Sequence, residues 1–142
     1  MTQAALASRL DRRDHLGAFK FLSVGLTHVG AVRSLNEDAL LNRPDLGLWA
    51  VADGMGGHAR GDVASARIAA ALNDVNAFGS AYAFRDGVAR ALGAVNQSLF
   101  AETLEDKSGA TVVALMAHEG HYACLWAGDS RAYLYRAGAL KQ

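Results

Sequence analysis

One cysteine, Cys124, stands alone among 142 residues, which rules out an internal disulfide framework and any multi-cysteine zinc site. Net charge is missing too: 14 basic and 14 acidic side chains cancel. Binding driven by electrostatics to nucleic acid or to an anionic membrane therefore has no support. No apolar run is long enough for a membrane helix. The opening stretch also lacks the hydrophobic segment of a secretory signal, because Arg9, Asp11, Arg12, Arg13 and Asp14 interrupt it. Internal repeats and low-complexity segments are absent. What remains is a chain that is 51% hydrophobic and only 20% charged, too apolar for intrinsic disorder and of a length for one folded domain. A single thiol and no leader point to a reducing compartment, the cytoplasm.

Periodicity then divides the chain. Residues 1–20 hold only the helical apolar pair Leu6 and Leu10 and read as a tail. From Phe21, Leu22, Val24 and Leu26 alternate as one face of a strand. ALLNR (39–43) is a short strand, Pro44–Asp45 a turn, and GLWAVAD (47–53) a strand expected to be buried on both faces, Val51 included. Asp62 suits the first turn of a helix that begins near Val63 and carries Ile68, Leu72 and Val75. Ser80 suits the cap of a second helix, whose stripe Phe84, Val88, Leu92, Val95 and Leu99 should face a sheet. TVVALMA and HYACLWA then alternate as a hairpin around His118–Gly120. AYLY is a further strand, and RAG a further turn leading into the start of another. Strands, two helices and strands again, with hairpin-length links, predict an α+β fold: an antiparallel sheet with helices on one face.

Polar or glycine-rich loops fall at strand ends in four places: Arg33–Asp38, Asp53–Gly57, Gly109–Thr111 and Gly128–Arg131. Loops there are held by the sheet and commonly carry function. Asp53 follows an apolar strand directly, where an unpaired carboxylate is costly to desolvate. A hard divalent cation is the nearest remedy, since magnesium and manganese take carboxylate, carbonyl and water oxygens. Gly54 lets the backbone turn a carbonyl toward such an ion. Asn36, Glu37, Asp38 and Asp129 offer further oxygens, and Arg33 supplies the planar fork that suits a phosphoryl group. Each piece taken singly is an ordinary turn or solvated loop; only their co-occurrence favours a metal site.

GAVRSLNED (30–38), VADGMGGH (51–58), SGAT (108–111) and AGDSRAY (127–133), in that order, resemble the metal-dependent protein phosphatases of type 2C, above all the bacterial serine/threonine members. Within that group the similarity leans toward proteins associated with type VI secretion. The resemblance runs from about Phe21 to the last residue. It implies a β-sandwich flanked by helices, in which residues 21–142 form the N-terminal portion and the C-terminal strands are absent. It implies manganese or magnesium, two ions with a third weaker position, and a metal-activated water that hydrolyses phosphoserine and phosphothreonine in proteins without a phosphoenzyme. By motif match Asp53 bridges the metals, Gly54 offers its carbonyl, Glu37 and Asp38 act through waters, and Asp129 helps hold the third ion. Arg33 binds the substrate phosphate. The implied partners are phosphoproteins made by serine/threonine kinases, with type VI secretion regulators among them.

Two departures accompany the resemblance. Met55 stands where many eukaryotic members carry a histidine thought to act as general acid, and methionine has no proton to give; nearby His58 reads as a backbone-bonding or solvent-facing loop residue. Two further metal-binding aspartates of the family's C-terminal half have no counterpart after Asp129. The chain by itself should then bind metal weakly, which leaves a pseudophosphatase or phosphoprotein-binding module as the alternative.

Other chemistries fit worse. Gly54, Gly56 and Ala59 satisfy a dinucleotide-binding glycine pattern, but Asp53 would oppose the pyrophosphate, and Asp74 falls near a helix end instead of a second parallel strand. A cysteine phosphatase needs arginine six residues after its nucleophile; from Cys124 that position is Ser130. Cys124 alternates with Tyr122 and Trp126 and, with Trp49, these read as core. His118 and His121 bracket a tight turn without other soft ligands, so a zinc site there is improbable.

Overall fold

The computed structural model of the protein describes residues 4–8, 20–55, 60–102 and 108–142, the first of these for its backbone alone. Four strands form the central sheet: β3 (Asp38–Arg43), β4 (Leu48–Gly54), β5 (Ala110–His118) and β6 (His121–Ala127), in the spatial order β3-β4-β5-β6. Every neighbour is antiparallel. Helices α1 (Gly61–Asn73) and α2 (Ala81–Phe100) lie on one face. Strands β1 (Ala4–Ser8) and β2 (Ser23–Thr27) make a separate antiparallel pair, as do β7 (Leu134–Arg136) and β8 (Ala139–Lys141). The expected α+β arrangement is the one observed. Where a tail was expected over residues 1–20, Ala4–Ser8 is a strand: its small residues give no periodic signal, and its pairing with β2 is made by the backbone.

The core lies between the helices and the even-numbered residues of β4 and β5. Leu48, Ala50, Ala52, Val112, Ala114 and Met116 meet Ile68 and Leu72 of α1 and Phe84 and Val88 of α2. Ser80 caps α2 as its spacing predicts, with Oγ accepting the Ala83 amide at 3.3 Å. Of the α2 stripe, Phe84, Val88 and Leu99 are buried, while Leu92 and Val95 are half-buried against the core.

The opposite face corrects three expectations. Val51 is 49% exposed, Trp126 70% and Tyr122 72%, although all were read as interior. Strand alternation places them, with Leu115 and Cys124, on the face away from the helices. There β2 covers only the β3 side. Gly25 lies over Leu40, the Ser23 hydroxyl donates to Asn42 Oδ1 at 2.6 Å, and Phe21 meets Trp49 edge-on at 5.1 Å. Alternation decides which residues share a face; it does not decide whether a second layer covers that face.

Arg43 links the sheet to α1. Its guanidinium reaches Asp45 at 2.8 Å and donates to the Asn73 carbonyl at 3.2 Å, the C-terminal end of a helix with no basic residue in its last turn. Arg43→Ala should therefore cost roughly 1 kcal/mol, as a lost helix-end cation and a lost surface pair. The Arg43 hydrogen bonds hold the Asp45 carboxyl below the usual carboxylate range, against the opposing effect of burial. A lowered folded value adds stability above the unfolded aspartate value of about 3.9 and loses it as pH falls through the folded value. Asp45 is 46% exposed, so screening keeps the effect below about 1 kcal/mol. Denaturation midpoints of the wild type and Asp45→Asn should differ at neutral pH and converge as pH falls through the lowered folded value.

Candidate active site

Antiparallel order brings the four motif loops to one end of the sheet. β3 begins there, β4 ends there, β5 begins there and β6 ends there. The register pairs Asp38 with Asp53, and Asp53 in turn with Thr111. Both aspartates are exposed and on the face away from the helices. The expected closeness of Asp53 to an acid of the 36–38 loop is thus met by Asp38. Their carboxyls lie within hydrogen-bonding reach, and the Asp38 carboxyl is raised above its usual range, first by desolvation, then by the Asp53 charge, with Glu37 adding a smaller push. Two carboxyls side by side are the donor set a hard cation neutralises, so these residues fit a divalent metal. Among the described residues, no three histidine, cysteine or acidic side chains are grouped tightly enough to enclose a metal by themselves.

Glu37 sits between Arg33 and the start of α1. Its Oε2 is 4.0 Å from Arg33 Nη1, a loose pair with Arg33 67% exposed. Its carbonyl accepts the Gly54 amide at 3.1 Å and the Ser65 hydroxyl at 2.6 Å. Gly54 and Gly61 pack backbone to backbone: a Cβ on Gly54 would fall 2.2 Å from the Gly61 oxygen, and one on Gly61 2.8 Å from the Gly54 carbonyl carbon. Gly54 is therefore glycine for space as well as for turning. Asn36 departs from its expected role as an oxygen donor to metal. Its Oδ1 accepts the Asp38 amide at 3.1 Å and its Nδ2 donates to Thr27 Oγ1 at 2.7 Å, so it shapes the loop.

On the far side of Asp53, Thr111 Oγ1 and Ser130 Oγ share a hydrogen bond at 2.5 Å. Gly128, at φ +94°, lies against the Thr111 side chain, where a Cβ would come within 2.6 Å. These contacts hold the 128–131 loop, and with it Asp129, against the start of β5. Asp129 is exposed beside a cavity of about 470 Å3 that Cys124, Trp126 and Arg131 also line. Met55, on the other flank, donates its amide to the Gly109 carbonyl at 2.9 Å. Gly56, Gly57, His58 and Ala59 lie outside the described residues. Sequence reasoning missed Ser65, Gly61, and the Thr111–Ser130 link. Ser65 left a readable signal, a serine on the same helical stripe as Ile68 and Leu72.

Cys124 is a half-buried thiol that burial pushes up, as a small strand residue should be. No helix among the described residues is long and apolar enough to cross a membrane.

A family model described as protein phosphatase 2C matches residues 18–142. The serine/threonine protein phosphatase PstP of Mycobacterium tuberculosis is 38% identical over 117 residues, covering 80% of this chain and 22% of that protein. Among solved structures, PppA of Pseudomonas aeruginosa, described as a key regulatory component of T6SS, superposes with a TM-score of 0.75 at 38% identity, covering 99% of this chain and 54% of that one. The catalytic domain of PstP in complex with two manganese ions gives a TM-score of 0.69 at 30% identity, again with 99% and 54% covered. The chain thus spans about half the length of these solved structures.

Proposed function

The chain belongs to the protein phosphatase 2C family, and from that premise we propose that its residues serve a metal-dependent protein serine/threonine phosphatase acting on phosphoserine and phosphothreonine in the cytoplasm. The observation that carries this reading is the Asp38–Asp53 carboxyl pair at the sheet end that also presents Arg33, Gly54 and Asp129. Asp53 and the Gly54 carbonyl would hold manganese or magnesium directly, Glu37 and Asp38 through water, and Asp129 at a further position. Two such ions, with a third at a weaker position, would supply an activated water and neutralise charge building on the phosphoryl group.

Arg33 would take the phosphate. Its 4.0 Å pair with Glu37 is exposed and weak, so releasing it for a dianionic ligand costs little. The fork then binds two phosphoryl oxygens at once. In a phosphatase domain that includes these residues, Arg33→Ala should raise KM for a phosphopeptide about tenfold and change kcat less. An equal fall in kcat with KM unchanged would place Arg33 in the reacting centre instead.

Phosphoproteins made by serine/threonine kinases are the proposed substrates, and the likeness to PppA favours regulators of type VI secretion among them. Ligand count favours a second reading for residues 1–142 by themselves. Hard ions take about six oxygens, and the direct donors in this chain are Asp53 and a carbonyl. A phosphoprotein-binding module with negligible turnover follows. Manganese-dependent hydrolysis of a phosphothreonine peptide, measured on residues 1–142 and on a complete domain containing them, separates the two: turnover is expected from the complete domain alone. Metal-dependent turnover by residues 1–142 that Asp53→Asn removes would overturn the module reading, and a metal-loaded complete domain without turnover would overturn the phosphatase reading.

A further inference from the structure

Ser65 is 1% exposed on the buried face of α1, beside Ala64, Ile68 and Leu72. A helical serine hydroxyl commonly bonds back to its own helix. Here Oγ lies 3.1 Å from the Asp62 carbonyl but 2.6 Å from the Glu37 carbonyl, in the loop before β3. One hydroxyl carries one proton, and the shorter contact takes it. The same Glu37 oxygen accepts the Gly54 amide at 3.1 Å. A single carbonyl therefore gathers a donor from α1 and a donor from the end of β4, one residue before Asp38. The bare Gly61 lets α1 approach closely enough: a Cβ there would meet Glu37 Oε1 at 2.9 Å.

We infer that Ser65 is a positioning residue that fixes the Glu37–Asp38 loop against Asp53–Gly54. It touches neither substrate nor metal; it sets where the Asp38 carboxyl and the Gly54 carbonyl stand relative to each other. The metal consequence rests on the proposed metal-holding role of that cluster, but the structural consequence does not. Removing the hydroxyl leaves Glu37 with the Gly54 amide, so no buried acceptor is orphaned and the fold survives. What is lost is the tether to α1, so the Gly54–Glu37 bond opens more often.

Backbone-amide NMR on residues 1–142 tests both consequences. In metal-free Ser65→Ala, the Gly54 amide should exchange about fivefold faster relative to interior amides such as that of Ala114, the effect of one lost hydrogen bond. Ser65→Cys, which keeps the volume and weakens the donor, should shift the ratio in the same direction. Val88→Ala, a core variant far from the loop in sequence, should not raise the ratio, because a global loss of stability speeds Ala114, in the same core cluster, at least as much as Gly54. An unchanged Gly54 ratio in Ser65→Ala overturns the inference. Paramagnetic broadening of the Asp38 and Gly54 amides by Mn2+ supplies the second readout. Its midpoint should move several-fold higher in Ser65→Ala, and an unmoved midpoint with the broadening still dependent on Asp53 overturns the inference as well. Broadening that Asp53→Asn leaves intact defeats the metal reading alone, and the exchange ratio still decides the role of Ser65.

Discussion

Phe84→Ala should destabilise the fold by about 3–5 kcal/mol, the ordinary cost of emptying a buried aromatic site. Phe84 is 1% exposed on the inward face of α2. Its ring lies 5.5 Å from that of His118, whose Nε2 in turn bonds the Gly79 carbonyl at 2.9 Å in the loop before the helix. The removed ring would leave a space that Val88, Leu72 and Met116 cannot fill without moving α2. Leu92, one turn past Val88 on the same stripe, borders a groove of about 650 Å3 between the second half of α2 and β5–β6. Its truncation creates less new cavity, so Leu92→Ala should fall at about 2 kcal/mol, the bottom of the range for buried leucine. Urea midpoints with an unchanged m-value would measure both. Equal losses would mean that the groove closes in solution.

The stripe that carries this contrast was legible as five residues at helical spacing, yet the spacing is blind to the difference between Phe84 and Leu92. Periodicity reports which side of an element is apolar, and not how fully each position is covered: Phe84, Val88 and Leu99 are buried while Leu92 and Val95 between them are half-buried. The hairpin was legible for a similar reason: Glu119 and Gly120, both at positive φ, join two alternating runs whose register pairs His118 with His121. The face of the sheet away from the helices was not legible. Val51 and Trp126 are as apolar as any core residue, and their exposure follows from what packs over β4–β6, which their own neighbours in sequence do not specify.

The acidic end of the sheet divides in the same way. Asp53 was legible as the carboxylate at the junction of LWAVA and a glycine loop, although it stands exposed and so is not desolvated as the sequence suggests. Its pairing with Asp38 follows once β3 and β4 join through a short turn. Asn36 carried the same kind of oxygen and was read the same way, but it bonds the Asp38 amide two residues on. Short polar side chains in loops bond their own backbone so readily that composition cannot separate a ligand from a turn. The Ser65 contact joins residues 28 apart in sequence, a separation that no local pattern encodes.

Asp53→Asn in a complete phosphatase domain should lower metal-dependent turnover about a thousandfold or more, several kcal/mol of charge neutralisation withdrawn from the reacting phosphoryl group. The same substitution should have the opposite sign on the metal-free fold. Asp38 and Asp53 are register partners whose carboxyls stand within hydrogen-bonding reach, and an amide in place of one removes the repulsion and can donate to the other. The metal-free denaturation midpoint of Asp53→Asn should therefore equal or slightly exceed that of the wild type. With Mn2+ about tenfold above its Kd, the wild type should gain about 1.4 kcal/mol that the variant does not. An ordinary structural aspartate would show neither the reversal nor the metal dependence. If Asp53→Asn destabilised the metal-free protein and left the gain from Mn2+ intact, the carboxyl pair would be a structural feature of the β3–β4 junction, and the metal would have to be sought elsewhere.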